Sequence, residues 1–211
     1  MAFAFLACLT VSVEAFDVEL GLDAISQATA IGQTGIESRR ADFHRPYRLV
    51  ISQPPLDYID VVTPFRRVVL AAEARLLAGE RLFGQRDALE TLGDRPEQVD
   101  LRLELTFHPL NTFVGMPSYE VGLISVRTGL AAQARGLEQI PRFGPRVNGT
   151  TQASPTQGVG LVRGPTQPLL GGAIVVTFDG RVLDRGGVYE IVVSESGKRL
   201  AGGRVDLSTL R

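Results

Sequence analysis

The chain is poor in the residue types that most often carry chemistry. Cys8 is its only cysteine, it has no tryptophan, and among 211 residues there are two histidines, His44 and His108. A single cysteine excludes an intrachain disulfide, so stability must come from a packed apolar core. Lys198 is the only lysine and arginine supplies every other basic residue, a bias that follows coding composition better than any chemistry. Twenty-two basic residues face 23 acidic ones, a formal net charge of −1. That balance lacks the basic excess of a general nucleic-acid or membrane-surface binder. No apolar run reaches the roughly 20 residues that a bilayer-spanning helix needs. The expectation is therefore no nucleic-acid partner and no stable membrane span.

Catalytic signatures are missing as well. There is no nucleophile elbow, no phosphate-binding loop and no zinc-protease helix. Ser196-Gly197-Lys198 lacks the upstream glycines of a phosphate loop, and Asp179 to Asp184 lacks the alternating oxygen ligands of a calcium loop. No catalytic, cofactor-binding or metal-binding residue is assigned, no cofactor is expected, and the reading leans away from an enzyme.

The first segment suggests a location. Ala2 to Val13 is apolar apart from Thr10 and Ser12, too short to span a bilayer but fitting the core of a secretory signal. Val13-Glu14-Ala15 offers small residues three and one before a cleavage point, so Phe16 is the expected mature start. The basic leader that usually opens a signal is missing, since no Lys or Arg precedes Arg39. Phe5-Leu6-Ala7-Cys8 is a poor lipoprotein signal because its residues are bulky and the apolar run continues past the cysteine. Residues 1–15 are thus expected to be removed from an exported, periplasmic or secreted bacterial protein. The other reading of this segment is a buried terminal element of a cytoplasmic structural protein.

The chain as a whole has an ordinary globular composition, 44% hydrophobic and 21% charged, and the pattern of 16–211 follows. Asp17 to Gly32 places Leu22, Ile25, Ala28 and Thr29 on one helical face behind an acidic start. Tyr47 to Ser52 and Tyr58 to Val62 read as strands separated by Pro54-Pro55. Thr63-Pro64 is a helix start, a hydroxyl N-cap before a proline at the first helical position. Phe65, Val68, Val69, Ala72 and Leu76 then recur at helical spacing up to Gly79, with Arg66, Arg67, Glu73 and Arg75 on the other side. Gln85 to Leu92 is a second helical piece. Val99, Leu101, Leu103, Leu105 and Phe107 alternate with Asp100, Arg102, Glu104 and Thr106, a strand with one buried face. Tyr119, Val121 and Leu123 continue the pattern, so Val99 to Val126 is expected to be a hairpin. Thr128 to Pro168 is rich in Gly, Pro, Gln and Thr, has no sustained period and is expected to be irregular, apart from a short strand at Gly160 to Arg163.

The last third closes with Ala173 to Phe178, Val188 to Val193 and Arg199 to Leu207, three strands in succession. Asp179-Gly180 marks a turn after the first, and Ser196-Gly197 makes a tight hairpin between the others. Leu183, Gly187, Tyr189, Ile191 and Val193 together resemble the tyrosine corner of immunoglobulin-like and fibronectin-type-III-like domains. In those domains the ring packs inside and the hydroxyl bonds to upstream backbone. Ile191 stands where immunoglobulin domains carry a cysteine, and Arg185 where those families often carry Pro or Asp. The resemblance implies a sandwich and no active site.

Few polar residues suggest a site. Arg39, Arg40, Arg45 and Arg48 cluster with His44 and Tyr47. The cluster reads first as a solvated segment balancing nearby acids, and second as an anion site built from guanidinium forks. Both histidines adjoin prolines in expected loops and read as surface or structural residues. Asn148-Gly149-Thr150 matches a glycosylation acceptor, a short pattern of little weight.

These observations give a mainly β protein: one antiparallel β-sandwich domain with a short N-terminal helix, a helical insertion at 63–92 and an irregular segment at 128–168. The preferred function is that of an exported, non-enzymatic binding or accessory scaffold for another envelope or secreted protein or a surface polymer. One alternative is a small-ligand binder or hydrolase with its site between the 63–79 helix and the sheet, using His44, His108, Asp57 or Asp60. The other is the cytoplasmic structural protein.

Overall fold

A computed structural model describes residues 16–80, 82–108, 110–145 and 167–211. The signal-like segment 1–15 with Cys8, the glycosylation match at 148–150 and the expected strand at 160–163 lie outside them. The described chain forms helices α1 (Leu22–Gly32), α2 (Glu37–His44), α3 (Pro64–Leu77) and α4 (Gln85–Leu92). Its strands are β1 (Arg48–Gln53), β2 (Leu56–Val62), β3 (Gln98–Thr106), β4 (Tyr119–Ser125), β5 (Ala131–Ala132), β6 (Ala134–Phe143), β7 (Leu169–Asp179), β8 (Val188–Glu195) and β9 (Lys198–Asp206). They build two antiparallel sheets, one ordered β1-β2-β3-β7-β6 and the other β5-β4-β8-β9. The protein is a mainly β sandwich with a helical layer at one side.

Alternation along β3 explains the layering. Val99, Leu101, Leu103 and Leu105 are all at most 1% exposed, and across the ladder they face Ile174, Val176 and Phe178 of β7. The second sheet supplies Tyr119, Leu123, Tyr189, Ile191, Val193, Ala201 and Val205 to the same core. Phe16 and Val18 join it from the segment before α1. A second cluster is purely helical: Ile25 and Ala28 of α1 pack on Phe65, Val68, Val69 and Ala72 of α3, with Ala88 and Leu92 of α4 closing it. The helical part is therefore broader than an insertion at 63–92, because α1 and α2 belong to the same layer. At the α1–α3 crossing a Cβ on Gly32 would lie 2.4 Å from the Val69 carbonyl oxygen, so only glycine permits this approach.

Several local expectations hold. Thr63 caps α3, its Oγ1 accepting from Arg66 N at 3.2 Å, with Pro64 at the first helical position. The β8–β9 turn uses Ser196 and Gly197 at φ 51° and 74°, both left-handed as a tight hairpin requires. The segment between β7 and β8 crosses from one sheet to the other. There the Tyr189 hydroxyl accepts from the backbone N–H of Asp184 at 2.7 Å, the contact expected of a tyrosine corner.

Two topological expectations fail. Val99 to Val126 is not a hairpin: β3 lies between β2 and β7, whereas β4 pairs with β5 and β8 in the other sheet. Alternation reports one buried face, which both sheets of a sandwich provide, and it carries no information about the neighbour. Residues 107–118 are also longer than the two-to-five-residue loops of tight hairpins. Nor is 128–168 irregular throughout, since Ala134 to Phe143 forms a ten-residue edge strand paired with β7. Every residue of it is exposed, so neither face leaves a hydrophobic period in the sequence.

Candidate functional site

Two consecutive short elements, α2 and the turn Arg45–Tyr47, lead the chain along α3, from Glu73 to Arg66, and into β1. This route brings residues of α2, the turn, β1, β2 and α3 around one groove. Its volume is about 520 Å³, and its apolar wall is Ala41, Val50 and Leu70. The polar side is His44, Arg45, Arg48, Asp60, Arg66 and Glu73. A second depression of about 510 Å³ shares Arg48, Asp60 and Leu70 with it and adds Tyr58, Arg67, Asp100 and Arg102.

Arg66 is the centre. It is 2% exposed although it sits on α3 among residues whose charge suggests a solvent face. Burying an unpaired guanidinium is prohibitive, so its partners define the site. Nη1 donates to the Val61 carbonyl at 2.7 Å and to the Tyr47 carbonyl at 3.5 Å. Nη2 donates to Asp60 Oδ1 at 3.2 Å, Nε donates to His44 Nδ1 at 3.3 Å, and the guanidinium lies 5.0 Å from the Tyr47 ring centroid. Burial, the largest influence, lowers its pKa, and the Asp60 carboxylate opposes that shift.

Asp60, on β2, is 7% exposed and also receives a two-point grip from Arg48 of β1, Nε to Oδ1 at 2.9 Å and Nη2 to Oδ2 at 2.8 Å. Burial alone would raise the Asp60 pKa. The Arg48 hydrogen bonds and the charge of Arg66 outweigh it and hold the carboxyl below the ordinary carboxylate range. Arg48 in turn lies 4.1 Å from the Tyr58 ring centroid. On the α2 side, Glu73 accepts from Arg40 Nε at 2.8 Å and meets His44 Nε2 at 2.9 Å. An arginine Nε–H can only donate, so His44 Nδ1 must be the acceptor and the ring proton sits on Nε2, facing Glu73. The result is one continuous network from α2 through α3 to β2 and β1: Arg40, Glu73, His44, Arg66, Asp60, Arg48.

The basic cluster divides accordingly. Arg39 stays exposed, whereas Arg40 is 9% exposed and Tyr47 2% exposed, so the solvated-segment expectation is corrected for those two residues. Their carriers fold inward because Glu73 and the backbone carbonyl of Thr34 take Arg40 (2.5 Å to the latter), and because Tyr47 OH pairs with the Arg211 backbone. Of the four residues named for a site beside the Thr63 helix, His44 and Asp60 come together around Arg66. Asp57 instead accepts from Thr106 Oγ1 at 2.7 Å, and His108 lies exposed beyond the far end of β3, its Nδ1 accepting from Leu110 N. Arg66 and Glu73 were hidden by their charge, and only their spacing of seven on α3, which places them on one face, could have flagged them.

Both ring nitrogens of His44 are engaged, by Arg66 and Glu73, and the Asp60 and Glu73 carboxylates are held by guanidinium groups. Among the described residues no three His, Cys, Asp or Glu side chains gather as metal ligands, and no helix is long and apolar enough to cross a membrane. Comparison of the chain with protein-family models, with curated proteins and with solved structures finds no match.

Proposed function

We propose that this chain is a non-enzymatic binding module that receives a ligand in the groove between α3 and the β1–β2 edge. The observation that carries the reading is the way the Arg66 network fixes the exposed Arg48 in place through Asp60: rigid, preorganised polar groups beside an apolar wall are the usual make-up of a binding pocket. Export from a bacterial cell is part of the proposal and rests on the sequence of residues 1–15. Phe16 and Val18 lie in the sandwich core, so cleavage before Phe16 would leave that core whole. N-terminal sequencing of protein from the native host should begin at Phe16, and an intact Met1 in a cytosolic fraction would contradict export. A fragment library screened by ¹H–¹⁵N correlation spectra tests the groove itself. Shifts confined to the surroundings of Ala41, Val50 and Leu70 are expected, and a screen that leaves those residues unmoved would refute it.

A second reading, an accessory protein that captures an extended segment of another envelope or secreted protein, is favoured by β6. Among the described residues β6 pairs only with β7, and Leu137, Ile140 and Phe143 are 51%, 45% and 45% exposed along it. The charges that usually guard an edge are tied within the sheet, Arg135 to Glu97 and Asp179, and Arg142 to Glu104. Such an edge can accept an added strand. Ile140→Lys should abolish co-purification of such a partner while leaving the groove's ligand shifts intact, and retained co-purification would sink this reading.

A further inference from the structure

We infer that the groove's ligand is an organic oxyanion, a carboxylate or phosphate monoester carrying an apolar body, an inference that rests on the binding role proposed above. Charge balance comes first. The network holds three guanidinium groups, Arg40, Arg48 and Arg66, against two carboxylates, Asp60 and Glu73, while His44 is neutral by its hydrogen bonds. One positive charge is left over in a setting where Arg40 and Arg66 side chains are 11% and 2% exposed. The rim pair Arg45–Asp42 cancels itself at 2.6 Å. Glu104, which also acts on Arg48, is already held by Arg102 and Arg142. A surplus charge at the wall of a low-dielectric groove favours an anionic occupant.

Donor capacity points to the same class and locates the head group. A guanidinium has five N–H donors. Among the described residues Arg66 directs four at Val61, Tyr47, Asp60 and His44, and so has little left to offer. Arg48 directs two at Asp60, leaving its Nη1 side unengaged among the described residues, and its side chain is 45% exposed. Its orientation is already fixed by the Asp60 grip and the Tyr58 ring, so little rotamer entropy is lost when it binds. Arg48 is thus a preoriented fork for an oxyanion, the geometry for which arginine is best suited. The apolar part of the lining, Val50 beside Arg48 on the same face of β1 together with Ala41 and Leu70, offers no hydrogen bond from its side chains and suits the ligand's hydrocarbon portion.

Isothermal titration of the purified chain with hexanoate, hexyl phosphate, acetate and hexanol at low ionic strength tests this. Hexanoate or hexyl phosphate should bind, the tighter of the two identifying the head group. Acetate should bind at least about tenfold more weakly for want of buried methylenes, and hexanol should give no measurable heat. Binding should weaken as salt is added. Val50 is 72% exposed, so charge can be placed at the groove mouth without touching the core. Val50→Glu and Val50→Lys lose the same apolar contact, so they isolate charge: Val50→Glu should bind hexanoate roughly fivefold more weakly than Val50→Lys, from a charge difference in a partly screened setting, while Val114→Glu, on the exposed loop after β3, should change nothing. Equal binding of hexanol and hexanoate would overturn the oxyanion class yet leave the groove a binding site. Failure of every probe would overturn this inference alone, because the fragment screen judges the groove independently.

Discussion

Replacing Arg66 with methionine removes the side chain that joins α3 to α2, to the Arg45–Tyr47 turn and to β2. The change keeps the apolar stem and deletes the guanidinium, leaving the Val61 carbonyl without its 2.7 Å donor and His44 Nδ1 without Arg66 Nε. Asp60 keeps Arg48 but loses its buried partner. Breaking a buried ion pair from one side costs about 3–5 kcal/mol. For a domain of this size about 2–4 °C of Tm accompanies each kcal/mol, so the melting temperature should fall by roughly 6–20 °C. Urea unfolding followed by far-ultraviolet circular dichroism gives the free energy, and differential scanning calorimetry gives Tm. Arg66→Lys should recover only a minority of the loss, since an ammonium cannot reach two carbonyls, a carboxylate and an imidazole in one plane. Arg39→Met, on the exposed side of α2, should stay within about 0.5 kcal/mol of the parent. A loss below about 1 kcal/mol for Arg66→Met would refute the reasoning, because it would mean the guanidinium is solvated and the network is not what holds α2 and α3 to β2.

Three further perturbations probe other joints of the fold. Asp60 is held below the ordinary carboxylate pKa of about 3.9. Its native carboxyl therefore binds a proton less readily than its unfolded one, and the stability it contributes is complete above that ordinary value and is lost as pH falls through its depressed native pKa. Asp60→Asn should accordingly flatten the acid limb of a stability–pH curve, and an unchanged limb would contradict the pairing with Arg48 and Arg66. Tyr189→Phe should cost about 1 kcal/mol for the hydrogen bond from Asp184 N, read by urea denaturation, and an unaltered midpoint would argue against a structural corner. Gly32→Ala should destabilise by about 1–3 kcal/mol through the clash with the Val69 carbonyl and the Ala72 side chain, outweighing the gain of about 1 kcal/mol in helix propensity. A stabilised variant would show that α1 and α3 do not cross so closely.

Those residues also mark what could be read in advance. The strand at Val99, the Thr63-Pro64 cap, the helix at Gln85 to Leu92 and the Ser196-Gly197 turn are local features, and each has a signature within a few positions. Tyr189 was legible for the same reason, since its partner Asp184 is five residues away. The neighbour of β3 was not legible, because β2 and β7 are selected by the whole sandwich. β6 left no trace, having no buried face to impose a period. α2 carries the sequence Glu37-Ser38-Arg39-Arg40-Ala41-Asp42-Phe43-His44, too polar to show an apolar stripe, and it is held by the ion pair of Arg40 with Glu73. Four of the six network residues were visible, His44 and Asp60 as candidate site residues and Arg40 and Arg48 in the basic cluster. Arg66 and Glu73 were not, because a charged residue at a helical position implies solvent until its buried partners are known, and those of Arg66 come from Tyr47, Asp60 and Val61 on other elements.

Arginine side-chain Nε–Hε resonances offer the most direct view of how the groove works. Titrating the ¹⁵N-labelled chain with hexanoate should move the Arg48 signal in a saturable way, with a smaller displacement at Arg66 through the shared Asp60, while exposed Arg39 follows only bulk ionic strength. Arg48 and Arg39 moving together without saturation would contradict an oxyanion site at the α3–β1 groove.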